Sequence, residues 1–332
     1  MTGSFIAADE LRTAANPLLL GPGAHGLRAT ADRARMAEEA GAGQLWLSQV
    51  PDNHDSTLVA AGCAAATRSM RIGTAVTPVA GRHPVQAAQT ASALADLSGG
   101  RFALGLGAGH PFINEFVLGL APVPPVAAMR EYLTIVRTLL REGRADFVGR
   151  HHTAHASNVT GHGADVPILL GGMRPKMIEL AAELADGLLL WLAPVRYVEE
   201  HVLPAVQEAC ARIGRDPATL PVLVEVPVYL ADDHPNLYSD LEGLITQYAM
   251  MPSYRHVFEA SGFGDRLAAG EIDRAMADAI AITGDAGDIA GRLEEYRTLG
   301  CVPVPATAIG DRPLELDTPD AFDRFLKAVC VA

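Results

Sequence analysis

The stretch "RFALGLGAGH", residues 101–110, decides how the chain is read. It is a strand-like run that ends in three glycines, Gly105, Gly107 and Gly109. A dinucleotide-binding turn wants G-x-G-x-x-G, a helix opening on the last glycine, and an acidic residue about twenty positions on. Here the third glycine comes one residue early, and strand-like runs already precede it. This is therefore not the first βα turn of a nucleotide domain. Glycines after a strand still let a flat ligand approach the backbone without a Cβ in the way.

Working outward, short apolar runs alternate with helical patterns on both sides, the signature of a mostly parallel sheet. The runs are "PLLLG", "QLWLSQ", "MRIGTAVTP", "RFALGLGAG", "PILLGG", "GLLLWL", "LPVLVEVPVYLA" and "CVPVPATA", each followed by a helix. Eight such units predict a (β/α)8 barrel, a fold that commonly runs past 250 residues as one domain. The expected organisation is an N-terminal extension, residues 1–16, and a single barrel domain, residues 17–332. Active sites on this fold sit at the C-terminal ends of the strands, so the last residues of each run are the candidates. The polar segment from about residue 143 to 166 carries no readable pattern.

Composition narrows the classes. With 26 Lys and Arg against 39 Asp and Glu, the net charge is −13, which argues against nucleic acid as a partner. No run of eighteen apolar residues occurs, and acidic residues stand where a signal peptide would be apolar, so a cytoplasmic protein with no membrane partner is expected. Cys63, Cys210, Cys301 and Cys330 lie far apart and are expected to be buried thiols. "HHTAH" at 151–155 lacks an accompanying carboxylate or cysteine cluster, so no metal is expected. The motifs of P-loops, serine hydrolases and zinc proteases do not occur.

The ordered segments "LWLSQ", "RIGTAVTPVAGRHP", "DLSGGRFALGLGAGH", "MREYL", "PILLGGMRPKMIELAAELADG" and "DDHP" resemble the bacterial luciferase-like superfamily, in particular its deazaflavin branch that uses coenzyme F420. The resemblance spans roughly residues 17 to 300. It implies a luciferase-like TIM barrel, often a homodimer, that binds F420 or FMN at the strand ends and moves a hydride to or from a small substrate. It also implies a non-proline cis peptide at Ala75–Val76, behind the cofactor ring, with Thr77 following it. The "GGMRPKM" loop, with Gly171, Gly172, Met173 and Arg174, would hold the cofactor's phosphate region.

Read for chemistry, that loop places a proline in a helix's first turn and basic residues beside its free N–H groups, a ready anion site. Arg82 is a second candidate for anionic contacts, while Ser48 and Trp191 end strands at the expected mouth. Gly107 and Gly109 would lie beside the ring, with Ala108 and His110 facing it. His110 could donate a proton there, its reference pKa lying near neutrality. Sugar-phosphate dehydrogenases of the F420 family carry an Asp-His pair where this chain has Ser48 and Gln49, and Gln cannot act as a general base. Asp52 and His54, in the loop beyond, are possible replacements. Reduction of a C=C, C=N or C=O bond in a small or peptide metabolite is therefore favoured over sugar oxidation. The alternatives are an FMN-dependent monooxygenase on the same barrel, and a barrel without cofactor that serves as a binding or partner subunit.

Overall fold

Each of the eight apolar runs forms a parallel strand: β1 Pro17–Leu20, β2 Gln44–Leu47, β3 Arg71–Thr74, β4 Phe102–Gly107, β5 Ile168–Gly171, β6 Gly187–Trp191, β7 Val222–Leu230 and β8 Val302–Ala306. Neighbours pair in chain order, and β8 returns to β1 through Leu19 and Ala306, so the sheet closes on itself as the predicted (β/α)8 barrel. The computed structural model describes residues 8–13, 15–20, 26–51, 53–161, 163, 165–234, 236–309, 312–313 and 319–330.

The strands were readable because helices cover one face and the barrel interior the other, leaving nearly continuous apolar runs. Alternation along each strand divides these residues into two sets. Leu19, Trp46, Ala103, Leu169, Leu189, Leu223 and Val304 point to the axis, while Leu18, Leu45, Phe102, Leu170, Leu188 and Val224 pack against the surrounding helices. The Trp46 ring crosses the interior, and Gly73 makes room for it, since a Cβ there would collide with the indole. Trp46 Nε1 donates to Gln44 Oε1 at 3.1 Å, and Gln44 Nε2 donates to the Leu11 carbonyl at 2.8 Å. Leu11, on a short helix Ala8–Thr13 within the first sixteen residues, joins the same interior cluster and is 1% exposed. It closes the N-terminal end of the barrel and leaves the opposite end for the site.

Helices Gly26–Glu39, Ser56–Ala66, Pro84–Ser98, Pro125–Glu142, Pro175–Leu184, Leu203–Ile213, Ala286–Thr298 and Pro319–Cys330 alternate with the strands. Two excursions interrupt this pattern. Residues 145–156, inside the segment without readable pattern, form an antiparallel hairpin. Between β7 and β8, the described residues include the further α-helices Leu237–Ala249, Pro252–Phe258, Gly264–Ala269 and Arg274–Ile280. All four cysteines are buried and unpaired. Among the described residues no helix is long and apolar enough to cross a membrane, and no cluster of His, Cys, Asp and Glu could hold a metal ion.

Candidate functional site

The C-terminal mouth is shaped first by a one-residue bulge. Gly73 pairs with Ala103 and Thr77 with Leu106, so four steps on one strand match three on the other. The Thr74 hydroxyl spans the gap, donating to the Gly105 carbonyl at 2.8 Å and accepting from Gly105 N at 3.0 Å. The Ala75–Val76 peptide within the bulge is cis, as the resemblance implies. The Val76 side chain lies beside the ends of β4 and β5. A Cβ on Gly107 would come within 2.5 Å of Val76 Cγ2, and one on Gly171 within 3.0 Å of Val76 Cγ1.

The chain's own side chains stand close to the glycines of the opening motif. Val76 stands where a Cβ on Gly107 would be. At Gly109, whose φ of 74° favours glycine, a Cβ would meet the Asn114 amide at 2.6 Å. Gly172 likewise makes room for the Met177 side chain. Asn114 donates from Nδ2 to the Ala108 carbonyl at 3.1 Å, while its Oδ1 is buried without a partner.

His110, at the end of the opening motif, belongs to an aromatic wall. The His110 ring is 5.8 Å from Tyr254 and 6.4 Å from Tyr248 between centroids, Tyr248 and Tyr254 meet edge to face at 4.6 Å, and Trp191 is 6.4 Å from Tyr248. The two tyrosines come from the helices between β7 and β8, which thus form part of the site. Burial pushes the His110 imidazole below its ordinary pKa, so it is neutral at pH 7. Little of it therefore carries a proton to donate at that pH. Glu225, inward-facing on β7 and 4% exposed, has an Oε1 with no hydrogen-bond partner, and burial holds its carboxyl well above the usual carboxylate range. The sequence reading counted Glu225 among the strand-end residues but gave it no role, although a carboxyl inside the apolar run "VLVEVPVYL" was the available signal.

The remaining candidates divide. Arg174 is exposed at the start of helix Pro175–Leu184, whose first turn receives no side-chain cap. Met173 is buried, and its carbonyl accepts from Tyr197 Oη at 3.0 Å. Arg82, expected on a ligand anion, instead forms an ion pair with Asp55, the residue that caps helix Ser56–Ala66. Gln49 Oε1 accepts from Ser56 Oγ at 2.9 Å, and Ser56 Oγ lies 3.1 Å from the Thr77 hydroxyl. Gln49 is thus held in a polar chain that includes Thr77, not turned freely to the reaction centre. Ser48 is half-buried beside it and His54 is exposed, whereas Asp52 and residues 21–25, at the end of β1, lie outside the described residues.

With this geometry in place, the luciferase-like monooxygenase family model matches residues 10–302. The chain belongs to that family. Within this luciferase-like family, the chain is 26% identical over 289 residues to the 5,10-methylenetetrahydromethanopterin reductase of Methanolobus tindarius, covering 82% of this chain and 88% of that protein. It is 26% identical to the F420-dependent glucose-6-phosphate dehydrogenase of Intrasporangium calvum over 77% of this chain and 78% of that one. The structure of the coenzyme F420-dependent tetrahydromethanopterin reductase from Methanopyrus kandleri superposes with a TM-score of 0.77, at 20% identity, over 96% of this chain and 98% of that chain. At that identity the superposition establishes the shared fold.

Proposed function

We propose that this luciferase-like barrel is an F420-dependent oxidoreductase acting as a reductase of a polarised C=C, C=N or C=O bond in a small or peptide metabolite. The observation that carries the direction is the state of the second strand's end. Gln49 stands there with its amide oxygen engaged by Ser56, and glutamine offers no base to take a proton from an alcohol. The relatives that name F420 support the choice of cofactor.

The residues present fit such a group. Ala75, Val76 and Gly171 make a low, apolar wall against which a flat ring can lie, and the orphaned Asn114 Oδ1 offers a hydrogen-bond acceptor beside Gly109. Arg174 and the uncapped helix start supply positive potential for an anionic tail. When bound, the reduced deazaflavin would supply a hydride. The chain's own work is to fix the substrate among Trp191, Tyr248 and Tyr254 and to exclude water there.

Titration of the purified protein with F420 and with FMN separately tests the reading, followed by oxidation of reduced F420 against a panel of ketones, imines and enones. Micromolar or tighter F420 binding with turnover supports it. Tight FMN binding with oxygen consumption would instead make the protein a monooxygenase, and binding of neither cofactor would make it a partner or binding subunit.

A further inference from the structure

This inference rests on the reductase reading and adds one group to the site. On β7, Val222, Val224, Val226 and Val228 pack outward against the helices while Leu223 points to the axis, so alternation turns Glu225 inward, one layer nearer the mouth. Its aligned neighbours are Trp191 on β6 and Val304 on β8, neither of which is charged. From helix Pro252–Phe258 the Tyr254 phenol lies close enough for Glu225 to raise its pKa further, after burial and Tyr248. Tyr254 in turn meets the neutral His110 ring. The facing groups are thus two phenols, an indole and an imidazole, and burial alone sets the acidity of Glu225.

A buried carboxyl with an unpartnered oxygen costs the fold stability, and such a group points to a ligand that engages it. Around it stand flat apolar surfaces, so the ligand that reaches it is flat and presents one acceptor atom. We propose that Glu225 is the proton donor of the site, handing the proton of its buried carboxyl to the oxygen or nitrogen of a carbonyl or imine substrate while the carbon of that bond receives the hydride. The C=O or C=N π bond breaks, a C–H and an O–H or N–H bond form, and the Glu225 O–H bond is lost. The two electrons come with the hydride from reduced F420, and water reprotonates the carboxylate. His110 and Glu225 are pushed in opposite directions by the same burial, which leaves an unprotonated base and a protonated acid facing one wall.

The test compares wild type with Glu225→Gln and Glu225→Asp. Without any cofactor, the infrared C=O stretch of a protonated carboxylic acid is expected at pH 7 in the wild type and absent in Glu225→Gln. Lack of that band in the wild type, or its persistence in Glu225→Gln, overturns the proposal. With reduced F420 and the carbonyl and imine panel, Glu225→Gln is expected to lower kcat at least about tenfold with KM little changed, in line with the ~10²–10⁴ typical of general acid catalysis, and Glu225→Asp to recover part of it. Unchanged kcat in Glu225→Gln removes the donor role alone. A wild type that oxidises no reduced F420 with any of the panel removes the reductase reading and the donor role together.

Discussion

Gly107→Ala should be destabilising on its own and nearly harmless beside Val76→Ala. The new Cβ would stand 2.5 Å from Val76 Cγ2. Carbon pairs rest at about 3.5–4.0 Å, so one of the two must retreat by roughly 1 Å in a wall with a closed sheet behind it. Forcing a methyl group into such packing costs ~1–3 kcal/mol. Val76→Ala removes two methyl groups, worth at most about 1.6 kcal/mol at ~0.8 each and less here because the side chain is only half-buried. If the losses merely added, the double variant would fall by roughly 2–4 kcal/mol. The geometry instead lets the methyl group introduced at position 107 occupy the place of Val76 Cγ2, so the double variant should be no less stable than Val76→Ala alone. Gly107 has no positive φ, so the collision and not the backbone is tested. Urea unfolding of all four proteins measures the coupling. Additivity within about 0.5 kcal/mol would show that Val76 does not hold the space above Gly107.

Arg174→Ala should weaken F420 binding by ~1–3 kcal/mol, the range of a charge-assisted hydrogen bond. An unchanged Kd in calorimetric titration takes Arg174 out of the site. The depressed pKa of His110 means that the unfolded chain binds a proton first as pH falls through about 6.5. Stability from this group is therefore complete above that pH and lost towards the folded value, so His110→Asn should gain on the wild type in Tm between pH 7 and pH 5. Parallel Tm profiles would contradict it. Asp55→Ala should cost ~0.5–2 kcal/mol through loss of the cap on helix Ser56–Ala66, and should leave Arg82 unpaired. Denaturation of Asp55→Ala at neutral pH checks the first part, and a tighter affinity for inorganic phosphate than the wild type's would report the second.

The barrel was legible because parallel strands covered on both faces announce themselves as uninterrupted apolar runs. What the glycines near the end of β4 do was not legible. Val76 stands beside Gly107 and Asn114 beside Gly109, and only the register shift between β3 and β4 brings Val76 over Gly107. The hairpin at 145–156 escaped notice because Asp146, Val148, Thr153 and His155 are exposed and the strands carry no sustained apolar alternation. Tyr248 and Tyr254 could not be assigned because the helices that carry them are additional to the one expected between these two barrel strands. Glu225 sits at a strand end but received no role, since a lone carboxyl in a chain with 39 acidic residues draws no attention until its surroundings are known.

The chain holds only two tryptophans, and the fold gives them opposite situations. Trp46 is fully buried across the barrel axis with its N–H bound to Gln44, while Trp191 stands half-buried in the aromatic wall of the mouth. One indole is therefore a sealed optical reference, emitting at short wavelength and shielded from dissolved quenchers. The other is a window on the pocket, open to quenching by acrylamide and to any chromophore that settles against it. Their summed emission divides by colour, and the change in its red edge on adding a ligand reads occupancy of the mouth directly, with no label attached to the protein.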